Sequence, residues 1–406
     1  MSCVVAMSIA DIKLQPASAS RQDSLRVMIV DDAIVVRGLL GRWIEAEPGL
    51  QVVASLRSGR EAIEQVDHLN PDVVILDVDM PDIDGITALP HLLEKRRDLV
   101  VIMSSTLTRR NAEVSLRALS LGAADYIPKP ESTREIVSSE SFRRELIEKI
   151  RALGARRKQA TEAAWPLPWA PGATAARLGE RTGGAALRGV SSPAPVPAAE
   201  GAPFKLRPMP SVPPHALLIG ASTGGPQALG ALVGRIGPVI DTAPVLITQH
   251  MPPTFTTILA EILGRAAGRP VHEATDGEAL RAGAIYVAPG GHHLRVVRRA
   301  GVPTVALDDG PQINFCRPAV DPMFSSAAET WGSSNLALVL TGMGSDGMRG
   351  ASDIVAAGGT VIAQDEQTSV IWGMPGSVVK AGLCSAVLPL DSIADTVAKL
   401  FCGDRP

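Results

Sequence analysis

Leu217-Leu218-Ile219-Gly220-Ala221-Ser222-Thr223-Gly224-Gly225-Pro226 decides how this chain is read. An apolar run with the texture of a buried strand stops at Gly220, and Pro226 opens an apolar, helix-like run through Ile236. Proline suits the first helical turn, where its missing N–H costs nothing. The pattern therefore sets Ser222 on a tight strand-to-helix turn, its hydroxyl at the carboxyl edge of a sheet. Glycines there let a substrate approach the backbone, and free amides at the helix start would stabilise a developing oxyanion. Gly220 to Gly224 fit the nucleophile-elbow pattern G-x-S-x-G. Such a turn fits a plain connection or a phosphate cradle as well, so its meaning depends on partners elsewhere.

Those partners stand at other strand ends. Val245–Thr248 is an apolar strand ending in Gln249-His250-Met251-Pro252, and Asn335–Leu340 is another, ending in Thr341-Gly342-Met343-Gly344-Ser345-Asp346-Gly347. Acyl transfer needs a nucleophile, a base and an acid that orients the base. In a parallel sheet the carboxyl ends share one edge, so Ser222, His250 and Asp346 can meet. His292 and His293, after the strand Ala284–Ala288, rival His250 for the role of base. His215 precedes its strand and falls at the wrong edge. His272 lies in a charged, solvated segment, and His68 and His91 belong to the first half of the chain. No HxH or HExxH spacing supports zinc. The order Ser, His, Asp differs from the Ser, Asp, His order of α/β-hydrolases, which implies similar chemistry on another fold. With Thr360–Ala363 as a further strand, the expectation is a doubly wound parallel sheet over residues 215–402.

With 406 residues, 46% hydrophobic and 20% charged, the chain can build two or three sizeable cores. Net charge −3 and 3% aromatics give no basis for nucleic-acid or anionic-membrane binding. Cys3, Cys316, Cys384 and Cys402 form no CxxC pair and fit reduced thiols in a cytoplasmic protein. No run of 18 apolar residues is present, so the chain is expected not to insert in a membrane. Residues 1–24 read as a disordered leader.

From Leu25 strands alternate with helices: Arg26–Val30, Val52–Ser55, Val73–Leu76, Val100–Met103 and Asp125–Ile127. Continuous apolar runs between helices predict a second doubly wound parallel sheet, covered on both faces, over residues 25–150. Its strand ends hold Asp31, Asp32, Asp77, Ser105 and Lys129. Carboxylates converging on one edge repel each other and are neutralised by a hard divalent cation such as Mg²⁺. From Arg151 to His215 the texture changes: eleven prolines, nine Arg or Lys against three Glu, and no apolar periodicity. Residues 151–214 read as a disordered linker, with a helix tail near Lys158 blurring its start.

Residues 25–150 resemble a response-regulator receiver domain through Val27-Met28-Ile29-Val30-Asp31-Asp32, Leu76-Asp77-Val78-Asp79-Met80-Pro81, Asp84-Gly85 and Lys129-Pro130. The resemblance implies Asp77 as phosphoacceptor, and Mg²⁺ held by Asp32 and Asp77 with help from Asp31 and the Asp79 carbonyl. It also implies Ser105 as switch hydroxyl, with Ser104 a rival, Tyr126 as switch aromatic and Lys129 as phosphate partner. The second half resembles the CheB family of chemotaxis methylesterases. The matching motifs are Ile219–Pro226, Gln249–Pro252, Ala288-Pro289-Gly290-Gly291, Cys316-Arg317-Pro318-Ala319-Val320-Asp321, Leu340–Gly347 and Trp372-Gly373-Met374-Pro375. That resemblance implies Ser222 as nucleophile, His250 as base, Asp346 as its orienter and the Met343 N–H as oxyanion donor.

It further implies a phosphorylation-regulated esterase acting on glutamate methyl esters, and on glutamine amides, of chemoreceptors. A CheA-type histidine kinase would be the phosphodonor, Mg²⁺ the receiver's cofactor, and the unphosphorylated receiver a cover over the cleft. The alternative is a phosphorylation-dependent receptor-binding module without turnover, which has no need of all three residues of a triad. A DNA-binding regulator is disfavoured by the neutral charge and the lack of a helix-turn-helix.

Overall fold

The computed structural model describes residues 24–129, 139–159, 204–209 and 213–403. The expected leader up to residue 23, Pro130, and the linker over 160–203 lie outside them. Two parallel sheets organise these residues. The first contains β1 (Leu25–Val30), β2 (Leu50–Leu56), β3 (Val73–Asp77), β4 (Val100–Thr106) and β5 (Asp125–Lys129) in the order β2-β1-β3-β4-β5. Every residue of β3 is buried, as its unbroken apolar run Val73–Leu76 requires of a strand covered on both faces.

The covering helices are α1 (Ile34–Glu45), α2 (Gly59–Leu69), α3 (Gly85–Lys95), α4 (Arg109–Ser120) and α5 (Glu140–Gln159). Side chains fix where three of them start. Ser58 accepts from the Glu61 N–H at 3.3 Å, Asp84 from that of Thr87 at 2.9 Å and Thr108 from that of Asn111 at 3.2 Å. Gly85 is needed because a Cβ there would overlap the carbonyl oxygen of Asp77. The α5 helix continues to Gln159, past the expected end of the domain at residue 150. Leu153 carries on the buried series Leu146, Ile147 and Ile150, and Arg157 pairs with Asp72 and Asp98.

The second sheet is built from β6 (Ala216–Ala221), β7 (Val245–Gln249), β8 (Val271–Glu273), β9 (Ile285–Val287), β12 (Asn335–Val339), β13 (Thr360–Gln364) and β14 (Ala386–Leu388). Their order is β14-β13-β12-β6-β7-β9-β8, with every neighbouring pair parallel. Its helices are α6 (Gly225–Val233), α7 (Gly237–Thr242), α8 (Phe255–Ala267), α9 (Val320–Trp331), α10 (Met348–Ala356), α11 (Met374–Lys380) and α12 (Leu390–Cys402). The helix after Pro226 ends at Val233, short of the expected Ile236, and a second short helix follows from Gly237. An antiparallel hairpin, β10 (His293–Arg299) with β11 (Val302–Asp308), was not read from the sequence. The chain runs outward from β6 through β7 and β9, then returns to place β12 on the other side of β6. That reversal makes a crevice at the carboxyl ends of β12, β6 and β7.

The receiver packs against the second domain along α4, which touches α6 and α8. The Tyr126 ring stacks on Phe255, centroids 4.7 Å apart and 8° from parallel. Arg109 meets Glu261 at 2.7 Å, and Arg156 donates to the Gln367 carbonyl at 3.1 Å. Residues 204–209, expected as linker, lie on the second domain: Phe204 packs on Trp372, and the Arg207 N–H reaches the Cys384 carbonyl at 2.9 Å.

Candidate active site

Ser222 follows β6 directly and is pinned by its own backbone. Its N–H donates to the Thr341 carbonyl at 3.0 Å, and its carbonyl accepts from the Gly225 N–H at 2.7 Å and Gln249 Nε2 at 2.8 Å. Strands β12 and β7 therefore both hold the turn. Gly342 makes this possible: a Cβ there would stand 2.9 Å from Ser222 Cβ and closer still to Met374 Sδ.

His250 follows β7, its N–H bonded to the Ala221 carbonyl at 3.1 Å. Its Nε2 donates to Asp346 Oδ2 at 2.7 Å, with the histidine side chain 10% exposed and that of Asp346 1%. Asp346 also accepts three backbone N–H groups: Val320 at 2.6 Å, Asp321 at 3.1 Å and Gly347 at 2.9 Å. Burial alone would raise its carboxyl pKa, but His250 and these amides outweigh it and hold the group ionised below the usual range. Burial alone would lower the imidazole, yet Cys316 and Asp346 hold its pKa well above the ordinary histidine value. With Nε2–H committed to Asp346, Nδ1 is the basic nitrogen. It faces Cys316 Sγ at 3.4 Å, and among the described residues no hydrogen bond joins it to Ser222 Oγ.

The rival histidines have other work. His293 is buried; Nδ1 accepts the Ala319 N–H at 3.1 Å and Nε2 donates to the Pro311 carbonyl at 3.1 Å, so it secures the loop between β11 and α9. His292 pairs with Asp309. His272, expected in solvent, bonds Glu278 at 2.7 Å and sets its ring edge against Tyr286.

A cleft of about 430 Å³ opens over Ser222 and is walled by both domains. Ser222, His250 and Met343 line one side; Tyr126, Arg144 and Lys149 line the other. Thr223, beside Ser222, donates its hydroxyl to Asp125 of β5 at 3.0 Å. That carboxylate also receives Lys149 Nζ at 2.9 Å. Arg144 stands 3.2 Å above the Phe315 ring. Neither these bridging residues nor the part played by Cys316 was read from the sequence. Signals existed in the motif Cys316–Asp321 and in the position of Thr223 beside Ser222, but not their partners.

At the receiver's own edge, Asp31, Asp32 and Asp77 bring carboxylate oxygens within 4.8 Å of one another. Lys129 Nζ binds Asp31 at 2.6 Å and Asp77 at 2.7 Å. Burial pushes Asp77 up to about 6 against the pull of Lys129, with Asp31 adding to the rise. The Asp79 carboxylate is taken by Asn111 Nδ2 at 2.6 Å. Ser105 Oγ bonds Ser115 Oγ of α4 at 2.8 Å, while Ser104 Oγ is buried with no partner among the described residues.

Fold and site together define a hydrolase with a serine on a strand-to-helix turn, coupled to a phosphoacceptor domain. The family models agree: residues 27–139 match the response regulator receiver domain and residues 217–397 the CheB methylesterase. A protein-glutamate methylesterase/protein-glutamine glutaminase of Rhodopseudomonas palustris is 57% identical, covering 98% of this chain and 100% of the relative. One from Bradyrhizobium diazoefficiens is 58% identical over the same shares. The catalytic domain of Thermotoga maritima CheB methylesterase is 42% identical with a TM-score of 0.45, covering 47% of this chain and 100% of that one. The chain belongs to the protein-glutamate methylesterase/protein-glutamine glutaminase family. These matches are to enzymes and lend no support to a receptor-binding module without turnover. Among the described residues, no helix is long and apolar enough to cross a membrane.

Proposed function

We propose that this chain hydrolyses γ-methyl esters of glutamate, and amides of glutamine, on chemoreceptor helices in the cytoplasm. Phosphorylation of Asp77 by a CheA-type histidine kinase would control it. Ser222 Oγ attacks the γ-carbonyl while His250 Nδ1 takes its proton, since Nε2–H remains bound to Asp346. The Met343 N–H, at the lip of the cleft, receives the oxyanion. His250 then returns the proton to the leaving methanol or ammonia, and a water activated at Nδ1 cleaves the acyl-enzyme. The observation that carries this reading is the His250–Asp346 pair at the end of β7, next to Ser222 at the end of β6.

The receiver's acidic cluster fits a divalent cation, because three carboxylates so close together otherwise repel one another. Asp31, Asp32, Asp77 and the Asp79 carbonyl would hold Mg²⁺, which neutralises charge on the transferring phosphoryl group. Ser105, Tyr126 and Lys129 would answer it. A cleft of this size admits a side chain, whereas a receptor helix is about 10–12 Å across. The docked receiver therefore blocks the substrate, and activation requires it to move.

The test is methanol release from methylated receptor. Ser222→Ala should lose at least about 10³-fold in kcat with an unchanged circular dichroism spectrum. Near-normal turnover by that variant would remove Ser222 as nucleophile.

A further inference from the structure

The basic nitrogen of His250 is occupied. Cys316 Sγ stands 3.4 Å from Nδ1, the atom that must take the Ser222 proton. The loop carrying the thiol is anchored on both sides. Ile313 and Cys316 exchange backbone hydrogen bonds at 3.1 and 2.9 Å, and Asn314 and Phe315 between them take left-handed φ of 49° and 63°. Arg317 Nη1 donates to the Asp309 and Gly310 carbonyls at 2.9 Å, and His293 grips Pro311 and Ala319. The thiol is thus held at the base by the fold, within a bonded series Cys316–His250–Asp346, and it lines the open cleft.

We propose that Cys316 is a modification site: a thiol sharing the catalytic base with Ser222, whose oxidation by a peroxide stops hydrolysis. The inference rests on the reading of His250 as the base. The thiol passes its proton to Nδ1, leaving a thiolate beside an imidazolium, the pairing that makes cysteines reactive. The thiolate attacks one peroxide oxygen: an S–O bond forms and the O–O bond breaks. The hydroxide released takes the imidazolium proton as water. Sulfur loses two electrons and the peroxide gains them. The resulting sulfenic acid stands against Nδ1 and keeps it from Ser222; excess thiol reductant restores the cysteine through a mixed disulfide. The other two cysteines among the described residues are built differently. Cys384 is buried, which pushes its thiol up to about 12, and Cys402 is exposed on the last helix, with no hydrogen bond to a histidine among the described residues.

The experiment uses the full-length unphosphorylated chain, hydrogen peroxide, a sulfenic-acid trap and mass spectrometry of each cysteine. Cys316 should be trapped about tenfold faster than Cys402 in the same molecules, and His250→Gln should bring it down to the Cys402 rate. Methanol release should fall in proportion to the Cys316 adduct and return with dithiothreitol. Cys316→Ser, after peroxide, should keep the rate it had before. Equal trapping of Cys316 and Cys402 would overturn the proposal, as would trapping unchanged by His250→Gln or full activity with Cys316 stoichiometrically oxidised. Because buried Cys384 is read in every sample, a misfolded His250→Gln is recognised by a rise in Cys384 trapping. Cys316→Ala, which deletes the thiol and spares the base, must then abolish the peroxide effect or the proposal fails. Absent methanol release before any peroxide would count against the esterase reading, while the trapping ratio decides the shared base independently.

Discussion

Tyr126→Ala tests whether docking of the receiver limits activity. Tyr126 is 5% exposed and lies face to face with Phe255, itself fully buried. A tyrosine buries roughly 150–250 Å², worth about 4–6 kcal/mol at ~25 cal/mol per Å². Part of that burial is against the receiver's own α5, whose Lys149 lies 5.3 Å from the ring centre. Assigning under half to the interface, about 2 kcal/mol of docking is lost, and the docked-to-open ratio falls about 30-fold. Basal methanol release by the unphosphorylated full chain should rise by up to that factor. Its ceiling is the rate of a fragment beginning at Phe204, which keeps the Phe204–Trp372 and Arg207–Cys384 contacts. Receiver integrity is checked by phosphorylation of the variant with acetyl phosphate. A basal rate within twofold of wild type, in a variant that still phosphorylates, would refute inhibition by occlusion.

Asp346→Asn should leave the three backbone contacts partly satisfied but remove the charge that fixes the Nε2–H tautomer; kcat should fall about 10³–10⁴-fold. A loss under tenfold would reassign the orienting role. The base works only when neutral, so its raised pKa puts the rising limb of kcat/KM above the ordinary histidine value of 6.5. Cys316→Ala removes one cause of the rise and should move that limb to lower pH; a pH–rate profile showing no shift contradicts the Cys316–His250 contact. Asp77→Asn should abolish labelling by acetyl phosphate with Mg²⁺, and stoichiometric labelling of that variant would mean that another carboxylate is the acceptor.

The central strands were legible because parallel sheets covered on both faces demand unbroken apolar runs, and Leu217–Ile219, Val73–Leu76 and Leu336–Val339 supply them; the short, half-buried edge strands Val271–Glu273 and Ala386–Leu388 have no such run and went unread. The positions of Ser222 and His250 were legible for a related reason: each follows such a run directly, and parallel strands place those ends on one edge, which the loop after Val339 reaches with Asp346. The hairpin His293–Arg299 with Val302–Asp308 went unread although Ala300-Gly301 separates two partly alternating runs. The C-terminal turn of α5 was hidden by Arg156-Arg157-Lys158, whose charge resembles a linker while Leu153 still packs inward. Cys316 and His250 are 66 residues apart, and no local pattern links them. Contacts between two separately folded units leave no periodic trace in either.

Lys129, Tyr126 and Asp125 lie within five residues on β5, and this places both ends of the regulatory connection on one rigid element. Lys129 binds Asp77, the proposed phosphoacceptor, Tyr126 stacks on Phe255, and Asp125 accepts the hydroxyl of Thr223, next to Ser222. A phosphoryl group on Asp77 adds close to two negative charges, which draw Lys129 away from its present geometry with Asp31. A strand paired along its length to β4 does not stretch to absorb that change, so the displacement reaches Tyr126 and Asp125. A ligand shifts an equilibrium only by its different affinity for the two states. We expect that difference to come from Lys129, which would meet the phosphoryl group best with β5 out of the cleft. Lys149 sets the opposing force. It is buried against Asp125 and Glu145 and donates to the Tyr126 carbonyl at 2.6 Å, so any movement of β5 must carry this charged residue with it. On the proposed reading the receiver would separate from Thr223 as a unit, with its internal ion pair intact, giving up the Thr223–Asp125, Arg109–Glu261 and Arg156–Gln367 contacts together with the Tyr126–Phe255 stack.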